Sequence, residues 1–222
     1  VSVIKILLVD DHELVRIGIK RLLQDTQGIK VVGEASTGEE AVLLAKELMP
    51  DVVIMDLHMP GIGGLEATRK MIRHNPDLRI LALTIYETEP YPSRLLRAGA
   101  AGYITKGCDP DEMIRAIRVI YTGQHYISPM IAQQIAIKRF TKGEESPIDV
   151  LSERELQIMQ MITQGQKVQA IAKKLCLSAK TINSYRYRIF AKLQMNSDVE
   201  LTLLAMRLGM IEGTKTEGAD AV

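Results

Sequence analysis

Short, nearly continuous apolar runs alternate with longer stretches whose apolar residues return every three or four positions. The runs are Val3–Val9, Ile29–Ala35, Asp51–Asp56, Arg79–Thr84 and Gly102–Lys106. Strands covered on both faces have this pattern. The stretches between them predict helices. After the first run, Leu14, Val15, Ile19, Leu22 and Leu23 share one side. Thr37-Gly38-Glu39-Glu40 opens a helix to about Leu48, and Pro50 stops it. Gly61, Gly63 and Gly64 lead into a helix through Ile72, and Pro90–Ala98 makes a short one. Asp109-Pro110-Asp111-Glu112 begins a helix to Tyr121, with Pro near its first position and acids in its first turn. Five strands alternating with helices predict an α/β domain built on a doubly wound parallel sheet.

The rhythm breaks at Gly123–Pro129. Met130–Phe140 predicts one further helix, and Thr141–Pro147 has the polar, turn-rich composition of a linker. From there the pattern is helical throughout. Ser152 and Glu155 form a capping-box pair ahead of Leu156, Ile158, Met159 and Ile162, and Gly165 ends that helix. Val168–Leu175 is a short second helix. Cys176-Leu177-Ser178 turns into a third, Ala179–Leu193, with Ser178 as its cap. A fourth spans about Ser197–Leu208. Short helices joined by tight turns suit a helix-turn-helix. The expected division is 1–122, a helical linker 123–147, an all-α domain 148–211, and a disordered tail 212–222.

Charge sharpens that division. Residues 1–126 carry 15 Lys and Arg against 17 Asp and Glu, while residues 148–211 carry 9 against 5. An acidic half joined to a basic half suggests two tasks, one on nucleic acid. Cys108 and Cys176 are far apart and predict unpaired thiols in a reducing cytoplasm. With four His there is no zinc spacing. No stretch approaches the roughly 20 apolar residues of a membrane span, so a cytoplasmic protein with no membrane partner is expected.

In a doubly wound sheet, chemistry sits at the carboxyl ends of the strands. Asp10 and Asp11 end the first run, Asp56 the third, Thr84 the fourth and Lys106 the fifth. Any one of these alone is an ordinary polar residue at a strand edge. Together they bring three carboxylates to one edge, which repel and raise each other's pKa. Mg²⁺ suits such a site, since it takes a few carboxylates along with waters and phosphate oxygens. A carboxylate can act as a nucleophile, and Lys and Thr can hold phosphoryl oxygens.

The set Asp10-Asp11, Asp56, Thr84, Lys106 resembles the receiver domain of bacterial two-component response regulators, over roughly residues 3–122. The resemblance implies a flavodoxin-like (βα)5 fold and a phosphoryl group accepted by Asp56 from a sensor histidine kinase. It implies Mg²⁺ held by Asp11, Asp56 and the backbone carbonyl of His58, with Asp10 reaching the metal through water. Thr84 and Lys106 would bind the phosphoryl group, and Tyr103 would be the switch aromatic that turns inward when Thr84 moves. The spacing of Tyr103 to Lys106 favours that role over the alternative, a half-buried edge-strand aromatic. His58 and Tyr86 stand where side chains tune access of water to the phosphoryl group, although His58 could be an inert loop residue.

In the second half, no acidic residue falls between Ser178 and Gln194, whereas Lys180, Arg186, Arg188 and Lys192 do. Ile182, Tyr185, Ile189 and Leu193 share the core side, leaving a polar, cationic face suited to the major groove. A solvated basic helix would look the same from composition alone. Leu151-Ser152-Glu153-Arg154-Glu155, Ile171-Ala172, Leu177-Ser178, Lys180-Thr181 and Lys192-Leu193 resemble the LuxR-type four-helix DNA-binding domain. With the receiver in front, the chain is similar to the NarL/FixJ class, most nearly its GacA/UvrY/LetA type. That type works with a BarA/GacS-like hybrid kinase and controls small regulatory RNAs. The resemblance places Asn183, Ser184 and Tyr187 at base edges, and Lys180, Thr181, Arg186, Arg188 and Lys192 around them, the cations at phosphates. The fourth helix, with Val199, Leu201, Leu204, Ala205 and Leu208, is either a core face or in part a dimerisation face. The implied function is a DNA-binding transcriptional regulator, a homodimer when phosphorylated, whose only catalysis is its own phosphorylation and dephosphorylation.

Two other classes compete. An aspartate-dependent phosphatase needs a substrate-binding cap and usually a second acid two residues after its nucleophile, where this chain has His58. A module that reports only to protein partners has no need of an acid-free helix.

Overall fold

The computed structural model describes residues 3–85, 90–141, 147–208 and 210. The chain splits into two compact units, one of Val1–Ser146 with Lys174–Cys176 and one of Pro147–Lys173 with Leu177–Val222. Tyr86, residues 142–146 of the predicted linker and the tail from 212 lie outside the described residues.

The first unit alternates strands β1 (Ile4–Val9), β2 (Ile29–Ala35), β3 (Val52–Met55), β4 (Arg79–Thr84) and β5 (Gly102–Thr105) with helices α1 (Glu13–Gln24), α2 (Gly38–Leu48), α3 (Gly63–His74), α4 (Tyr91–Arg97) and α5 (Pro110–Tyr121). A two-residue strand, β6 (Tyr126–Ile127), and helix α6 (Pro129–Thr141) follow. All pairings are parallel, in the order β2-β1-β3-β4-β5-β6. The sheet therefore has one strand more than the five predicted. β6 lies in the stretch Gly123–Pro129, where two residues between turn-formers show no hydrophobic period.

Successive strand residues face opposite sides of the sheet, and both sides are covered. Ile4, Ile6, Leu8, Val52 and Ile54 pack with Ile19 and Leu23 of α1 and Met113, Ile117 and Ile120 of α5. Leu7, Val9, Val53 and Met55 pack with Ala41 of α2 and Ala67 and Met71 of α3. Each such Ile or Leu contributes about 1.5–3 kcal/mol on burial. This core fixes the strand ends. The order reverses between β1 and β3, which puts the carboxyl ends of those two strands at the switch point of the sheet.

The second unit opens with a 3₁₀ turn, Pro147–Val150, followed by α7 (Glu153–Thr163), α8 (Val168–Lys174), α9 (Ala179–Leu193) and α10 (Asp198–Arg207). Ser152 and Glu155 make the predicted capping box, and Ser178 caps α9 through the Thr181 amide. Buried Leu156, Ile158, Ile171, Ile182, Ile189 and Leu201 draw on all four helices. Cys108 and Cys176 are free thiols.

Candidate functional site

Two short backbone bonds aim the acids at one point. The Asp10 amide donates to the Ala35 carbonyl at 3.1 Å, and the Asp56 amide to the Val9 carbonyl at 2.9 Å. The sheet ladder thus continues one residue past β1 and past β3, and carries a carboxylate out on each. Asp10 is only 1% exposed and Asp56 4%. From the end of β5, the Lys106 ammonium lies 2.7 Å from Asp10 Oδ2 and 2.8 Å from Asp56 Oδ2. Its own amide donates to the Thr84 carbonyl at 2.8 Å, which joins the ends of β4 and β5. Thr84 and Tyr103 are both fully buried. The Tyr103 ring is thus turned inward, two positions from Thr84 in the paired register Ala82↔Tyr103, Thr84↔Thr105.

A loop closes the acidic side. The His58 amide donates to Asp56 Oδ1 at 3.4 Å, and the His58 ring meets Tyr91 edge-on, 5.6 Å between centroids. Gly64 lets the first turn of α3 lie against the Asp56 backbone. A Cβ there would sit 1.9 Å from the Asp56 carbonyl oxygen. Neither contact is visible in the spacing of the sequence, and neither is the role of His12. The His12 amide donates to Asp10 Oδ1 at 2.8 Å, and its Nδ1 lies 2.9 Å from Asp11 Oδ1. Arg16 of α1 donates to the Asp10 carbonyl at 2.7 Å.

These distances set the electrostatics. Burial pushes the Asp56 carboxyl up to about 6, against the pull of the Lys106 ammonium, and the charges of Asp10 and Asp11 add to the rise. Burial works to lower the Lys106 pKa, but Asp56 and Asp10 outweigh it and hold the group above its ordinary value. Three carboxylates face one ammonium. Asp11 Oδ1 is buried, with the His12 ring nitrogen as its near polar neighbour. Ligand atoms of Asp10, Asp11, His12 and Asp56 all lie within 4.8 Å of one another. Mostly hard oxygen donors with uncompensated negative charge fit a small divalent cation such as Mg²⁺.

The second unit sorts the residues predicted for nucleic acid. On α9, Lys180, Ser184, Tyr187, Arg188 and Lys192 are exposed, and Thr181, Asn183 and Arg186 are partly so. Not all of the cations are free. Arg186 donates Nε and Nη2 to the two oxygens of Asp198, at 2.7 and 2.6 Å. Lys192 reaches Glu155 at 2.6 Å and the Val150 carbonyl at 3.3 Å. Arg188 lies over the Tyr185 ring, 4.4 Å from its centroid. Asp198 and Glu155 are the counter-charges that sequence reasoning missed. They stand 12 and 37 residues from their partners.

A phosphoryl-type acidic pocket on a flavodoxin-like sheet, joined to a helix-turn-helix, defines a response regulator of transcription and not a metabolic enzyme. Residues 6–118 match the response regulator receiver domain, and residues 149–205 match the luxR family of bacterial regulatory proteins. The chain belongs to the two-component response regulators of the NarL/FixJ class, which regulate transcription in a phosphorylation-dependent way. It is 59% identical over 211 residues to the response regulator GacA of Pseudomonas protegens, covering 95% of this chain and 99% of that one. It is 57% identical over 208 residues to the response regulator UvrY of Escherichia coli K12, covering 93% and 95%. Among solved structures, a LuxR-family response regulator from Aurantimonas is 44% identical with a TM-score of 0.61, over 63% of this chain and 99% of that one. The response regulator RcsB in complex with DNA is 26% identical with a TM-score of 0.58, over 92% and 98%. Among the described residues, no helix is long and apolar enough to cross a membrane.

Proposed function

We propose that Asp56 is the phosphoryl acceptor of this regulator and that its charge state sets access to DNA. The observation carrying this reading is Lys106, whose ammonium bridges Asp10 and Asp56 at the sheet's switch point. An oxygen of the Asp56 carboxylate attacks phosphorus. The bond from phosphorus to the donor nitrogen breaks, and the electron pair stays on the imidazole of a sensor histidine kinase, of the BarA/GacS-like type. Lys106 then turns from the carboxylate to a phosphoryl oxygen, and the Thr84 hydroxyl takes another. The chain catalyses this transfer itself, and likewise the later hydrolysis, in which water attacks phosphorus, the bond from phosphorus to the Asp56 oxygen breaks, and inorganic phosphate leaves with the carboxylate restored. Mg²⁺, held by Asp11, Asp56 and the His58 carbonyl with Asp10 acting through water, would neutralise the phosphoryl charge. His58 and Tyr86 would limit the approach of water.

Phosphorylation then moves Thr84 against Tyr103, whose ring is already buried before it, and frees the second unit to dimerise and bind promoter DNA in the cytoplasm. Asn183, Ser184 and Tyr187 read bases. Lys180 and Arg188, with Thr181 beside them, hold the backbone. Dimerisation is supported by Val199, Leu203 and Met206. These apolar side chains stand exposed at helical spacing on α10, where a folded core would have buried them.

The test uses the full chain with Mg²⁺ and acetyl phosphate. One phosphoryl group should add to the wild type and none to Asp56→Asn, and gel shifts on genomic fragments should strengthen only for the wild type. Phosphorylation of Asp56→Asn to the same extent would remove Asp56 from its role.

A further inference from the structure

α3 begins without a cap of its own. Its N-cap residue is Ile62, whose side chain has no acceptor. Its third helical position is Leu65, which cannot supply the glutamate that a capping box sends back to the N-cap amide. That glutamate comes instead from α2. Glu39 Oε1 accepts the Ile62 amide at 3.0 Å, across 23 residues of sequence. A carboxylate there also faces the positive end of the α3 dipole.

α2 does not use this carboxylate for its own start. Thr37 accepts the Glu40 amide at 3.2 Å, and Glu40 turns back to the Ser36 amide at 2.8 Å. Glu39, the other acid of the same first turn, reaches outward. Both sides of the contact leave room for it. A Cβ at Gly38 would lie 2.8 Å from the Gly63 carbonyl oxygen. Gly61 is in the left-handed region at φ 79°, and a Cβ there would run into the Glu39 carboxylate itself.

The loop between Asp56 and α3 is therefore held at two points. The Gly64 amide donates to the Leu57 carbonyl at 2.9 Å, and Glu39 takes the Ile62 amide. Between Leu57 and Ile62 lies His58, whose carbonyl is the backbone ligand proposed above for Mg²⁺. A backbone carbonyl has no rotamer to adjust, so the peptide planes of the loop set its direction. We propose that Glu39 is a positioning residue of the metal site. By tying the far end of this loop to α2, it keeps the His58 carbonyl available to an ion shared by Asp11 and Asp56. This rests on the metal reading above. Glu39 acts through the loop and not on the ion.

The test is Mn²⁺ binding by the full chain, followed by loss of the free-ion electron paramagnetic resonance signal. Mn²⁺ takes the same carboxylate and carbonyl oxygens as Mg²⁺. Groups that orient a metal ligand are worth about 10–100-fold in affinity, so Glu39→Ala should weaken binding about tenfold. Glu39→Gln keeps an oxygen that can accept the Ile62 amide, and should stay within about threefold of wild type. Glu47→Ala removes the same charge from an exposed position of α2 and should bind as wild type does. With acetyl phosphate, Glu39→Ala should recover the wild-type rate of phosphorylation at saturating Mg²⁺, since the strand ends hold Asp56 and Lys106. Glu39 is exposed, so the variants fold, which cooperative melting checks. Wild-type affinity in Glu39→Ala overturns this proposal alone. So does a rate deficit that saturating Mg²⁺ leaves in place, or an equal loss of affinity in Glu39→Gln and Glu47→Ala. A wild type that binds no Mn²⁺ overturns it together with the metal reading.

Discussion

The Ser128 amide donates to the Tyr103 carbonyl at 3.1 Å. Tyr126 donates to Ala101 beside it, and Ile127 pairs with Tyr103 in the parallel ladder. The strand carrying the proposed switch aromatic is therefore bonded to the segment that starts α6, whose first turn closes from Ala132 back to Ser128. A backbone shift at Tyr103 has to be absorbed two residues before that helix begins. Amide exchange at Ser128 should change when the chain is treated with acetyl phosphate and Mg²⁺, and should not change in Asp56→Asn. If Ser128 exchanges at one rate in both states while Tyr103 responds, β6 does not transmit the switch.

The raised Asp56 pKa makes the acceptor a stability cost at neutral pH. The folded chain holds this proton up to about pH 6, whereas an unfolded aspartate releases it near 3.8. Within that window the folded state binds more protons, so stability falls as pH rises, and above it the full cost is present. Two pKa units correspond to roughly 3 kcal/mol. Asp56→Asn keeps the shape and removes the charge. Without divalent cations it should be more stable than wild type by roughly 1–3 kcal/mol at pH 7.5 and about equal near pH 4. Added Mg²⁺ should narrow the gap by stabilising wild type alone. Urea titrations at the two pH values measure this, and a wild type more stable than Asp56→Asn at pH 7.5 would contradict it.

Gly64 is a requirement of the pocket and not only of the turn. A Cβ there would lie 1.9 Å from the Asp56 carbonyl oxygen and 2.9 Å from Leu57 Cα. Both are backbone atoms and cannot swing aside. Gly64→Ala should cost roughly 2–3 kcal/mol by overpacking and should slow phosphorylation by displacing Asp56. Gly107, which has open space around it, is the control, and Gly107→Ala should leave phosphorylation intact. An unchanged denaturation midpoint for Gly64→Ala would show that α3 can retreat freely.

The strand ends were legible because β1, β3, β4 and β5 are buried on both faces, and a polar residue ending such a run stands out. Asp10, Asp56, Thr84 and Lys106 could be located from that alone. β6 could not, since two residues carry no period. The partners of α9 were hidden for a different reason. The type of Arg186 and Lys192 is visible in the chain, but whether a cation faces solvent or an acid depends on tertiary distance. Asp198 lies on the next helix and Glu155 on α7. The capping box that identified Glu155 accounts for its bond to the Ser152 amide and not for its bond to Lys192.

That last pair gives a prediction that separates folding from DNA binding. Glu155 is almost fully buried, and its carboxylate meets Lys192 at 2.6 Å and the Ser152 amide at 2.8 Å. Burial pushes its pKa up, but the Lys192 bond and the Ser152 bonds outweigh this and hold the group below the ordinary glutamate value. Its contribution to stability is therefore present above the ordinary pKa and is lost as pH falls through the lowered one. Lys192→Met leaves a buried carboxylate without its cation and should cost roughly 1–3 kcal/mol at pH 7. Adding Glu155→Gln should restore part of that loss, because the group left behind is then neutral and still able to bond Ser152. A double-mutant cycle in urea reads the coupling. If Lys192→Met instead kept full stability and lost about 0.9 from the salt slope of DNA binding, its ammonium would belong to phosphate and not to Glu155.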